Sequence, residues 1–335
     1  MARSVLKYFL IILVILFSLE IISRLFFYFV PKALISMNLP LPNIIQTMTH
    51  VMVKNVVELR NLDEQIGSTI PHKELAYVFK PDHKFYIRNP YGQDILYETK
   101  DLFGDGEFGL RDDGIDKELF ALAVGDSFTF CMHLDMKDCW VEIVENESNL
   151  DVINTGVYGW GTYQELLMLK KVFQKLGDRK QSIKYIFWQI TFTDYQDDLC
   201  FLEGKMCNIF SPLFIYTPAN SALGLINYSF LVGFILTLYD VVKFRFTFDE
   251  QPREPDAKVF NEAEDICQNI GCKLIIIYSY RSIVKPRLCS KYRCIYPKYT
   301  EDMFIPNDRH HNPKGSRFLA QQILDFVHNE ERKQN

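Results

Sequence analysis

A serine closing an apolar run, a glycine-rich turn, and a histidine with an aspartate two residues before it are the parts of acyl-transfer chemistry. The first lies in AVGDSFTF (123 to 130), where Gly-Asp-Ser follows apolar residues. A hydroxyl at the carboxyl end of a parallel strand sits where open α/β sheets place their sites. Gly125 permits a tight exit. Ser127 is then expected at or just before a helix N-terminus, where backbone N–H groups can stabilise an oxyanion. A lone Gly-Asp-Ser equally suits a helix cap. The second part, VINTGVYGWGTYQE (152 to 165), has glycines at 156, 159 and 161. They allow close backbone approach to a ligand, or make an ordinary strand-to-helix turn. The third, DRHHNPKG (308 to 315), puts an Asp near a His in one loop. The Asp fixes the imidazole tautomer and the other ring nitrogen takes the serine proton. Alone, Asp-x-His also suits a solvated turn.

These residues need a scaffold, and the chain from 118 onward supplies one. FALAV (120 to 124) is a buried parallel strand by its short apolar run. Residues 140 to 147 read as a helix and DVIN (151 to 154) as a second strand. TYQELLMLKKVFQKL (162 to 176) has apolar positions at helical spacing and stops at Gly177. YIFWQI (185 to 190) is a third strand, 261 to 269 a helix, LIIIY (274 to 278) a fourth strand, and 318 to 327 a closing helix. Strands alternating with helices imply a parallel sheet with helices on both faces.

In this order the motifs resemble those of the SGNH (GDSL-type) serine hydrolase family: GDSFTF, NTGVYGWGT, a strand with an acidic end, then DRHHNPKG. The resemblance covers about residues 105 to 330. GLRDD (109 to 113) also looks like what membrane-anchored members carry. It implies a three-layer α/β/α, flavodoxin-like parallel sheet and no cofactor or metal. It implies Ser127 as nucleophile, His310 as general base and Asp308 as its orienter. The Ser127 and Gly159 N–H groups would line the oxyanion hole. In QITFTDYQDD (189 to 198), Asp194 matches the Asp of the family's GxND, and Thr193 stands where the family has Asn. Thr offers one O–H from a shorter arm. Losing such a donor costs roughly 2.7–4 kcal/mol in other hydrolases. The base is open to a second reading. The common Asp-x-x-His spacing selects His311 from Asp308. The Asn two residues later and the Gly five residues later select His310, through Asn312 and Gly315.

The 335 residues, 48% apolar with net charge −5, fit one α/β domain plus additions and carry no basic footprint for nucleic acid. A Walker loop is absent, and no cysteine couple has a His at metal-ligand spacing. The expected organisation is 1–32 as a signal anchor, 33–117 as a stem and N-terminal extension, and 118–330 as the hydrolase domain, with an insertion over about 198–257. Residues 8 to 30 read YFLIILVILFSLEIISRLFFYFV. At about 1.5 Å per residue they can cross a hydrocarbon core of roughly 30 Å. Glu20 and Arg24, four apart, can pair on one helix face. Apolar residues 222 to 242 are expected as a lid or an interfacial helix rather than a single crossing, because one crossing would separate Ser127 from His310. The cysteines form four close couples, Cys131/Cys139, Cys200/Cys207, Cys267/Cys272 and Cys289/Cys294. Each suits a disulfide in an oxidising compartment or a pair of free thiols. The expected protein is a single-pass membrane esterase or O-acyltransferase with its catalytic domain outside the cytoplasm. Its substrate is an acylated small molecule, glycan or lipid, with acetylated cell-surface glycans preferred. Alternatives are a lipase- or phospholipase-like enzyme at the membrane surface, and a catalytically weak glycan-binding or assembly protein on the same fold.

Overall fold

The structure is a computed structural model that describes residues 11, 14–22, 67–202, 254–279, 287–306 and 308–333. The chain divides into two units, 1–60 with 210–250 and 61–209 with 251–335. In the first, residues 14 to 22 are helical, and Val14 and Phe17 are exposed. Most of the expected anchor and the whole of 222 to 242 fall outside the described residues. Among the described residues no helix is long and apolar enough to cross a membrane.

The second unit holds the sheet and all the candidate site residues. It opens with two antiparallel hairpins, β1 (Thr69–His72) with β2 (Ala76–Phe79) and β3 (His83–Arg88) with β4 (Asp94–Thr99). In β4, exposed and buried residues alternate, so Ile95, Tyr97 and Thr99 face inward. Then follow β5 (Phe120–Val124), α1 (Trp140–Glu147), β6 (Asp151–Asn154), α2 (Thr162–Leu176), β7 (Ile183–Ile190) and α3 (Asp194–Leu202). After α3 come α4 (Ala257–Ile270), β8 (Lys273–Tyr278), β9 (Arg293–Ile295) and α5 (Pro313–Arg332). Strands β5 to β9 form one parallel sheet in the order β6-β5-β7-β8-β9.

Every residue of β5 is buried because both sheet faces are covered. Phe120, Leu122 and Val124 pack with Leu166 and Leu169 of α2 and Phe260 of α4. Ala121 and Ala123 turn the other way, toward Trp140 of α1 and Leu319 of α5. The sheet is therefore the middle of three layers. A fully buried Leu or Phe in it contributes roughly 1.5–3 kcal/mol. The strand order reverses at β5, with β6 on one side and β7 on the other. In such sheets the crevice at the carboxyl ends of these strands takes the ligand.

Two local signals set the last helix. Asn312 accepts a hydrogen bond from the Gly315 amide, and Pro313 opens α5 with its φ already helical. The helix consequently starts earlier than the apolar pattern from 318 suggests. Cys131–Cys139 and Cys289–Cys294 are disulfides, whereas Cys267 and Cys272 are buried free thiols. Cys207 of the Cys200/Cys207 couple lies outside the described residues.

Candidate active site

Ser127 follows β5 at the strand-order reversal and is half-buried. The helix expected to begin there is absent. Residues 127 to 133 form hydrogen-bonded turns, and α1 starts only at Trp140. Cys131 and His133 have φ of 57° and 70°, which a right-handed helix cannot accommodate. A helix macrodipole is therefore not available at Ser127, and oxyanion stabilisation falls to individual N–H groups. The turn is held from outside. The buried Arg111 guanidinium donates to the carbonyls of Phe130 (2.6 Å), Cys131 (2.9 Å) and Leu134 (2.7 Å). It also lies 4.4 Å from the centre of the Tyr97 ring. Next in the sequence, Asp112 accepts from the Asn154 amide at the end of β6. GLRDD thus fastens the serine turn to the sheet, a role its sequence does not announce.

The structure brings Ser127, His310 and Asp308 together. His310 Nε2 lies 2.7 Å from Ser127 Oγ, and Nδ1 is hydrogen-bonded to Asp308 Oδ1. Asp308 Oδ1 also accepts from the His310 amide at 3.2 Å. Burial pushes the Asp308 carboxyl up. The imidazoles of His310 and His133 outweigh that and hold it well below the usual carboxylate range. The His310 ring lies 4.7 Å from the Phe128 ring at a tilt of 33°, and Phe128, Met132, Leu134 and Trp140 line a hollow beside it.

His311 points elsewhere. It is buried against Tyr299, Phe304 and Phe128. Burial, with His310 adding to it, pushes its pKa down to about 3. The spacing that selected His310 has a physical reason. Asn312 caps α5, and Gly315 leaves room for the Met303 carbonyl, which a Cβ would strike.

The glycine block approaches protein rather than empty space at all three positions. A Cβ at Gly156 would collide with the Phe130 amide nitrogen, and one at Gly161 with Asp198. Gly159 has φ 73° beneath Tyr77, whose hydroxyl donates to the Tyr158 carbonyl at 2.8 Å. Thr193 shares a 3.0 Å hydroxyl–hydroxyl hydrogen bond with Thr191 and bonds to Asp197. To serve as an oxyanion donor its O–H must leave these partners. Asp194 is wholly buried, accepting from the Thr191 amide and hydroxyl. Burial and the nearby Asp126 push its carboxyl well above the usual range.

Sequence reasoning missed His133. Its Nε2 lies 3.3 Å from Asp308 Oδ2, and only proximity in the fold reveals it. Among the described residues His133, Asp308 and His310 are also the one group whose donor atoms converge as a metal site's would, within 4.8 Å of one another. Here those atoms hydrogen-bond to each other.

The chain matches no family model and no curated protein. Among solved structures it is similar to a protein assigned to the lipolytic G-D-S-L family from Desulfitobacterium hafniense, at 9% identity and TM-score 0.36, over 62% of this chain and 98% of that one. It is similar to the psychrotrophic esterase EstA from Pseudoalteromonas, at 12% and 0.34, over 64% and 98%. A third likeness is to a variant of an acetyl-xylooligosaccharide esterase from Geobacillus, at 15% and 0.28, over 63% and 94%. At these identities and TM-scores the functional reading stands on this chain's own geometry.

Proposed function

We propose that this chain is a serine esterase or O-acyltransferase of the SGNH type, working through an acyl-enzyme on Ser127. The observation that carries the reading is the continuous line from Ser127 Oγ through His310 to Asp308. His310 Nε2 takes the serine proton as Oγ attacks the ester carbonyl. Negative charge then gathers on the carbonyl oxygen, facing the Ser127 and Gly159 N–H groups, with Thr193 in the third position. His310 returns the proton to the departing alcohol, leaving an acyl group on Ser127. Water, or a sugar hydroxyl, then gives up a proton to His310 and attacks the acyl carbonyl. The bond to Ser127 Oγ breaks, and His310 passes that proton to Oγ, restoring the free serine. Asp308 keeps its negative charge throughout and steadies the imidazolium.

The preferred substrate is an acetylated cell-surface glycan, and the preferred location is the outer side of a membrane, held by residues 8 to 30. The apolar run supports the anchor, and two disulfides support an oxidising compartment. The test is the full chain in detergent with p-nitrophenyl acetate and a long-chain ester. The expected result is a stoichiometric burst with the acetyl ester, abolished by Ser127→Ala without loss of fold. Unchanged turnover in Ser127→Ala would remove the enzyme assignment, and a strong preference for the long chain would move it to a lipase.

A further inference from the structure

We infer that His133 is a positioning residue of this site, holding the second carboxylate oxygen of Asp308 so that the first stays on the His310 ring. The inference rests on the serine-hydrolase reading above. A carboxylate fixed through one oxygen can still swing about its last torsion. Here Oδ1 is taken by His310, and Oδ2 faces His133 Nε2 at 3.3 Å. The three side chains are nearly buried, at 8% exposure for His133, 12% for Asp308 and 13% for His310. The His133 ring also meets the His310 ring edge to face at 5.4 Å. Asp308 is therefore clamped between two imidazoles, and only one of them reaches the serine.

The backbone at His133 bears on the same point. Its φ of 70° is a left-handed conformation that glycine adopts freely and that a bulky side chain adopts at a cost. The surroundings hold it there. The His133 amide donates to Tyr97 Oη at 2.7 Å. Arg111 grips the carbonyls on both sides of the turn, and Cys131–Cys139 closes the loop. Glycine would satisfy this backbone with less strain. What the imidazole adds in its place is the contact with Asp308.

The test separates this role from a structural one. His133→Gly removes the ring and relieves the backbone. The variant should melt no lower than the wild type. Its kcat on p-nitrophenyl acetate should nevertheless fall roughly 10–100-fold with KM within about twofold, as small misplacement of a catalytic group does. His133→Gln, whose amide can donate to Asp308 Oδ2, should recover kcat to within about fivefold of wild type. In an Asp308→Asn background, removing His133 should cost less than about threefold more, because both changes break one clamp. A His133→Gly enzyme as fast as wild type, no rescue by Gln, or full additivity with Asp308→Asn would overturn the inference. Labelling of wild-type Ser127 by a fluorophosphonate keeps the two readings apart. An unlabelled wild type overturns the hydrolase reading and this inference together. A labelled wild type with an unimpaired His133→Gly overturns this inference alone.

Discussion

Asp308 and a cluster of buried carboxyls in the same unit are driven in opposite directions. Asp308 sits between two imidazoles and stays ionised despite its burial. Asp126, Glu165, Asp194, Asp197 and Asp198, around the end of β7 and the start of α2, are all buried, and none has an ion pair among the described residues. Burial, reinforced by their neighbours' charges, pushes Glu165, Asp194 and Asp197 well above the usual range, and burial pushes Asp198 to about 6. The same functional group is thus held ionised on one side and driven toward its protonated form on the other. Residue type does not decide which; the partners do.

The comparison breaks most easily by swapping carboxylate for amide in each group. Asp308→Asn should lower kcat roughly 10³–10⁴-fold, because the amide cannot balance the imidazolium and favours the wrong tautomer. Asp194→Asn should leave kcat within about fivefold, because the amide oxygen can still accept from the Thr191 amide and this side chain takes no part in the proton relay. Steady-state kinetics and thermal melts measure both. Equal losses in the two variants would end the distinction.

A second contrast is between adjacent rings. His310→Ala should lose about 10³-fold or more in kcat at unchanged fold. His311→Ala should keep kcat within about tenfold and instead lower the melting temperature, because it empties a slot between Tyr299, Phe304 and Phe128. A dead His311→Ala enzyme with wild-type stability would move the base to the neighbouring residue.

Raised carboxyls, inside that cluster and outside it, sharpen the picture through pH. Burial raises Asp198 to about 6 and Asp112 to about 7. An acid whose folded pKa lies above its unfolded value binds its proton more tightly when folded. That stabilisation is complete below pH 4 and is lost as pH rises through 6 and 7. Urea unfolding from pH 5 to 8 should therefore cost the wild type about 1–3 kcal/mol more stability than it costs an Asp112→Asn variant. An equal pH dependence in the two would contradict the raised carboxyl.

The sheet and its helices were legible because their apolar residues recur at the periods that burial demands, from FALAV in β5 to the stripe of α2. The hairpins at Thr69–Phe79 and His83–Thr99 were not, since their strands are short and carry His, Lys and Asp. β9 offers three residues, one of them the exposed Arg293. The turn after Ser127 defeated the helix expectation through two left-handed residues, which no propensity of Cys or His foretells. Asp308 and His310 could be paired from spacing because they share a loop. His133 reaches Asp308 from 175 positions earlier in the chain, so only folding reveals it.

The central claim is that Ser127 is a nucleophile activated by His310. Incubating the folded protein with a fluorophosphonate and mapping the adduct by peptide mass tests it most directly. The account predicts one stoichiometric adduct on the peptide carrying Ser127, absent in Ser127→Ala and slowed by orders of magnitude in His310→Ala. A folded protein left unmodified at Ser127, or an adduct that persists in Ser127→Ala, would contradict it.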